Sequence, residues 1–92
     1  MTQDNSALVA KRQRIDTIDA GVLALIQERM KLAADIAEIK ADIGMEIEDL
    51  AREEELYNNL AQLNTESNVP NEKLLEIWGK IIELSKKVQG GA

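Results

Sequence analysis

Arg29 and Lys40 are the first residues of this 92-residue chain whose types and spacing could do chemistry, because they stand eleven positions apart. On an α-helix that separation returns a side chain to within about 20° of the same face, ~16 Å further along the axis. Two long cationic side chains leaning toward each other from that spacing bracket a volume suited to a small anion. Asp49 and Glu53 head a second row, continued by Leu56, Leu60 and Leu63, with Arg52 beside them. A third row, Leu75, Trp78, Ile82, Ser85 and Gln89, ends in a hydroxyl and an amide. Each row thus replaces apolar positions with a group able to bind an anion or a hydroxyl, and one pocket would account for all three. The chemistry on offer is charge and hydrogen bonding. His and Cys are both absent, which removes the commonest general base, the commonest metal ligand, and every Ser-His or Cys-His arrangement.

The composition narrows the partners. Eleven Lys+Arg against 17 Asp+Glu give a formal charge of −6, the wrong sign for tracking nucleic-acid phosphates. One Trp, one Tyr and no Phe leave little for base stacking. The longest unbroken apolar run, Val22 to Ile26, is far too short to span a bilayer, and the amino terminus is polar. A cytoplasmic location is expected, with no nucleic acid, membrane, metal or cofactor.

The elements that position these rows read as helices. Ala, Leu, Ile, Glu, Lys and Gln dominate, and no alternating stretch long enough for a strand occurs. The fold class is all-α, a single domain over residues 1–92 with helices at about 6–43, 49–64 and 70–89. Gly44 supplies the left-handed stop of the first helix. Asp49 is a good N-cap for the second, and Pro70 opens the third where its missing N–H is harmless. The third fades at Gly90-Gly91. The first helix makes a rod of ~55 Å, whereas a compact monomer of this length is about 30 Å across. Its own chain cannot cover it, so an interlocked helical homodimer is expected.

Written in sevens, the first helix places Leu8, Ile15, Val22, Arg29, Ile36 and Ile43 in one column and Lys11, Ile18, Leu25, Leu32 and Ile39 in another. Arg29 breaks the apolar seam. Alone, it reads as a register device or a snorkelling side chain. Asp49 alone reads as a cap in the field of a helix dipole, Arg52 as the partner of an acid, and Ser85 and Gln89 as the end of a stripe emerging into solvent. Arg12 lies seventeen residues before Arg29, ~25 Å along the rod, too far to share a pocket within one chain. By itself it is an ordinary surface charge. From an antiparallel partner crossing near residue 23, however, Arg12 would fall between Arg29 and Lys40.

With these residues in view, the sequence closely resembles the all-helical (type II) chorismate mutase family from about Leu8 to Gln89. The segments that carry the resemblance are Arg12-Gln13-Arg14-Ile15-Asp16-Thr17-Ile18-Asp19, Glu28-Arg29, Lys40, Asp49-Leu50-Ala51-Arg52-Glu53, and Ile81-Ile82-Glu83-Leu84-Ser85 with Gln89. The resemblance implies a dimer with two equivalent sites, each completed by the partner's Arg12. It implies that Arg12 and Arg29 clamp the two carboxylates of chorismate, and that Lys40 donates to a carboxylate and the ether oxygen. It implies that Glu53, with Asp49 and Arg52, receives the ring hydroxyl, that Ser85 meets a carboxylate, and that Gln89 is a second donor to the ether oxygen. Ala51, where many relatives carry an acid, falls outside that contact set.

The implied reaction, a unimolecular rearrangement of chorismate to prephenate, uses no nucleophile or general base, so the missing His and Cys are no objection. It requires a chair-like conformer and stabilisation of the charge growing on the ether oxygen. Two other readings stay open at this stage. One is an isochorismate pyruvate-lyase of the same architecture; the other is a non-catalytic helical dimerisation module.

Overall fold

The computed structural model describes residues 5–90; Gly91 and the remaining ends of the 1–92 span fall outside it. Three helices follow one another, α1 (Ser6–Ile43), α2 (Leu50–Leu63) and α3 (Asn71–Val88), and the described residues contain no strand. The chain is all-α, as its composition requires.

Caps set the ends of the helices and, through them, the path of the chain. Gly44 adopts a left-handed conformation (φ 72°). Its N–H bonds the Ala41 carbonyl at 3.3 Å, and the Met45 N–H bonds the Lys40 carbonyl at 2.8 Å. This paired return closes the last turn of α1 and reverses the chain. Asp49 is the N-cap of α2, its Oδ1 accepting from the Arg52 N–H at 3.0 Å. Pro70 is the N-cap of α3 (φ −61°, ψ 137°), one position before the first helical residue, where a missing N–H is equally harmless. Asn64 fastens the turn between α2 and α3, its Nδ2 donating to the Val69 carbonyl at 2.6 Å and Asn71 Oδ1 at 2.7 Å.

α3 packs along α1, and α2 packs on α3. The core is thin. Only Ala33 and Ile82 are buried apolar residues among those described, and the one buried polar residue is Ser85. The row from Asp49 does not stay inward for its whole length, because Leu63 at the end of α2 is 76% exposed; the expected core stripe stops at Leu60.

α1 projects beyond its covering helices. The molecule measures 67 × 25 × 20 Å with a radius of gyration of 17.9 Å, against about 12 Å for a compact domain of this length. Both apolar columns of α1 lie open along the rod, with Ile15 54%, Leu25 65% and Ile39 58% exposed. Among the described residues no helix is long and apolar enough to cross a membrane.

Candidate active site

Where α3 crosses the second half of α1 and the chain returns over it into α2, the three helices enclose a pocket of about 410 Å³. That size suits a small organic ligand. Its apolar wall is formed by Leu32, Ala33, Ile36, Ile47, Leu56 and Ile82. Into it are brought seven of the eight candidate residues: Arg29, Lys40, Asp49, Arg52, Glu53, Ser85 and Gln89. Arg12 is not among them; it is exposed on the amino-terminal half of α1, ~25 Å along the rod from Arg29.

Each side chain arrives for a local reason. Arg29 breaks the apolar column of α1 opposite the polar end of the α3 row. Its Nη1 donates to Ser85 Oγ, while Ser85 Oγ donates to the Ile81 carbonyl one turn back at 3.1 Å. Burial, and then the nearby Arg52 guanidinium, draw Arg29 below the ordinary arginine pKa. It remains a cation at any physiological pH.

Lys40 lies in the last turn of α1. The Gly44 reversal lays the following segment back across that turn, so that Lys40 Nζ donates to the Ile47 carbonyl at 2.7 Å. Two residues later Asp49 starts α2 and presents Glu53 in its first turn. Arg52 pairs with Glu55 three residues on, both side chains at least 60% exposed. It therefore borders the pocket while engaged with an acid, the alternative its position had left open.

Gln89 caps α3. Its Oε1 is buried and has no hydrogen-bond partner, an arrangement that is unfavourable unless something else supplies one. Rotation of the amide presents its NH₂ at the same place, so this terminus can serve a ligand as acceptor or donor.

One charged residue of the pocket was not anticipated. Lys86 Nζ bonds Glu48 Oε1 at 2.9 Å and Glu53 Oε2 at 3.0 Å. Its pKa is raised, first by the bond to Glu48 and then by the bond to Glu53. A lysine stabilised in this way keeps its tie fully below its unfolded pKa and loses it only as pH climbs through the raised value. Neutral solution leaves the bridge intact. Lys86 is four residues past Ile82 and three before Gln89, on the flank of the same face, but the row was drawn through its neighbour Ser85.

The electrostatics of the pocket differ from those of the chain. Arg29, Lys40, Arg52 and Lys86 line it against Asp49 and Glu53, so cations outnumber carboxylates in a molecule whose formal charge is −6. Net charge governs distant approach, whereas binding is decided within a few ångströms. The arrangement can hold a small polyanion against an apolar floor and surround it with hydrogen-bond donors.

Comparison with known proteins gives one consistent result. The family described as chorismate mutase type II matches residues 11–90. The chain is similar to a chorismate mutase of Methanocaldococcus jannaschii, 41% identical over 78 residues that make up 85% of this chain and 79% of that protein. It is also similar to the bifunctional chorismate mutase/prephenate dehydratase of Aquifex aeolicus, 38% identical over 85 residues, covering 85% of this chain and 24% of that protein. Among solved structures, a chorismate mutase (form II) from Thermus thermophilus superimposes with a TM-score of 0.87 at 25% identity, over 91% of this chain and 94% of that one.

Proposed function

The chain belongs to the type II chorismate mutase family, and on that premise we propose that its pocket is one of two equivalent active sites in a cytoplasmic homodimer, each completed by Arg12 from the partner chain. The activity is that of an isomerase, the rearrangement of chorismate to prephenate in aromatic amino acid biosynthesis. In this reading Arg29 and the partner's Arg12 grip the two carboxylates, for which a planar guanidinium fork is well matched. Ser85, already bonded to Arg29, adds a contact to the carboxylate that Arg29 holds. Glu53, framed by Asp49 and Arg52, receives the ring hydroxyl. Lys40 and Gln89 donate to the ether oxygen as its bond to carbon lengthens.

The division of labour follows from magnitudes. A modest enzymatic acceleration of ~10⁶ corresponds to about 8 kcal/mol. One oriented donor to a developing oxyanion supplies about 2.7–4 kcal/mol, so one donor cannot carry it all, and the clamps contribute by holding the reactive chair-like shape. The observation that carries this reading is the meeting of Arg29 and Lys40 with the unpartnered Oε1 of Gln89 in one pocket. The open apolar columns of α1 support the dimer, since they form the surface a second rod would cover.

The test is the loss of chorismate absorbance with wild type and Lys40→Ala in parallel. Wild type should turn chorismate over to prephenate, and Lys40→Ala should be slower by a hundredfold or more. Comparable rates would remove Lys40 from the chemistry. The isochorismate pyruvate-lyase alternative is separated by offering isochorismate and looking for salicylate.

A further inference from the structure

Lys86 is the pocket cation to which the reaction outlined above gives no task. Its bridge differs in kind from the other lysine pairs of α3. Lys73–Glu76 and Lys80–Glu83 join neighbours on one helix, with side chains at least 60% exposed. Lys86 instead joins three elements: its own place near the end of α3, Glu48 in the connection before α2, and Glu53 in the first turn of α2. The Lys86 and Glu53 side chains are 31% and 21% exposed. Among the described residues Lys86 is the only ion-pair partner of Glu53.

A glutamate carboxylate on the wall of a site for a doubly charged anion poses two problems. It repels the ligand, and its three side-chain torsions let it leave the position from which it could meet a hydroxyl. A lysine fixed from its other side by Glu48 answers both, because it neutralises the carboxylate and restricts its rotamers. Exposed ion pairs as a class add little to fold stability, so the value of this one lies in what it does to Glu53. We propose that Lys86 is a positioning residue that, braced by Glu48, holds the Glu53 carboxylate at the pocket wall and screens its charge from the anionic substrate. The proposal rests on the reading of the pocket as the substrate site.

The experiment compares wild type, Lys86→Met, Lys86→Arg, Glu53→Gln and the Lys86→Met/Glu53→Gln double variant on chorismate, together with crystal structures of wild type and Lys86→Met. Loss of Lys86 should lower kcat/KM roughly tenfold, within the usual range of coupling between residues in contact. Lys86→Arg, which keeps the charge and reaches both carboxylates, should restore most of the loss. In the Glu53→Gln background, removing Lys86 should change kcat/KM by less than about twofold, because the group it acts through is gone. In the Lys86→Met crystal the Glu53 carboxylate should have left the wall. Equal losses in both backgrounds would mean that Lys86 acts on the ligand itself and would overturn the proposal, as would wild-type kinetics in Lys86→Met or an unmoved Glu53. If Lys86→Met does not fold, Lys86→Gln replaces it in every comparison. A wild type inert toward chorismate would overturn the functional reading alone, and the position of Glu53 in the two crystals would still decide the role of Lys86.

Discussion

Arg29 on α1 and Ser85 on α3 are joined by a hydrogen bond from Nη1 to Oγ across 56 residues of sequence. The serine is buried and has a second bond, to the Ile81 carbonyl. The guanidinium is therefore oriented by a partner that does not depend on it, and its remaining N–H groups are left for the pocket. An arginine whose task was to specify a helical register would have no use for a fixed serine at the end of another helix.

This relationship separates catalysis from stability at position 29. Arg29→Leu leaves Ser85 Oγ bonded to Ile81 and replaces a desolvated cation with an apolar side chain, an exchange that is often neutral or stabilising. The melting temperature should hold or rise, while mutase activity falls about a hundredfold or more through loss of a carboxylate clamp. Thermal unfolding and initial rates on one preparation check both halves. Retained activity would remove Arg29 from the carboxylate clamp.

Lys40 should behave differently because it has a structural bond as well as its proposed chemical task. Lys40→Met frees the Ile47 carbonyl, at a stability cost of about 1 kcal/mol. The barrier to reaction should rise by about 2.7–4 kcal/mol. Denaturant titration beside kcat measures the two on the same protein, and a rate loss no larger than the fraction unfolded under assay conditions would mean that the kinetic defect is only unfolding.

What the sequence revealed, and what it could not, divides along the nature of each signal. Gly44, Asp49 and Pro70 mark helix ends because their backbone or side-chain chemistry is local, and all three stand at caps. Arg29 was visible as a charge in an apolar column, and Ser85 and Gln89 as polar groups closing an apolar row. The partner of Lys40 was not visible, since it is a backbone carbonyl and any residue type offers one. Lys86, on the flank of the α3 row, was missed because its significance comes from two acids delivered by other elements, a fact of tertiary geometry. Leu63 was assigned inward by its spacing, yet α2 ends where α3 no longer covers it.

Gly79 offers a test of packing separate from the active site. It lies inside α3, and a Cβ there would sit 3.8 Å from Tyr57 Oη, an ordinary contact distance. Gly79→Ala should therefore gain helix propensity without a clash, about 0.5–1 kcal/mol. The melting temperature should rise by a few degrees, with kcat/KM unchanged; a lower melting temperature would show that a methyl group at this position disturbs the contact with Tyr57.

Gln89→Glu should convert a pH-independent donor into one that works only when protonated. An amide donates at any pH, whereas a carboxylate can only accept. The rate of the variant should therefore rise toward acid pH and fall as the glutamate ionises, while wild type stays nearly level over the same interval. Initial rates across that interval read the result directly. A level profile in Gln89→Glu would take Gln89 out of contact with the ether oxygen.

The shared site can be tested by mixing two inactive proteins. Arg12→Ala lacks the residue proposed to reach the partner's pocket, and Lys40→Ala lacks one that lines the chain's own pocket. If sites are built across two chains, a heterodimer of these variants has one site with both defects and one with neither. Random reassortment makes half the dimers heterodimers, so activity should recover to about a quarter of wild type. The recovery should require conditions that let dimers exchange, and it should follow the fraction of heterodimer seen by native mass spectrometry. A pocket that needed only its own chain would leave Arg12→Ala active before mixing. A site that took Arg12 and Lys40 from the same chain would give no recovery after it.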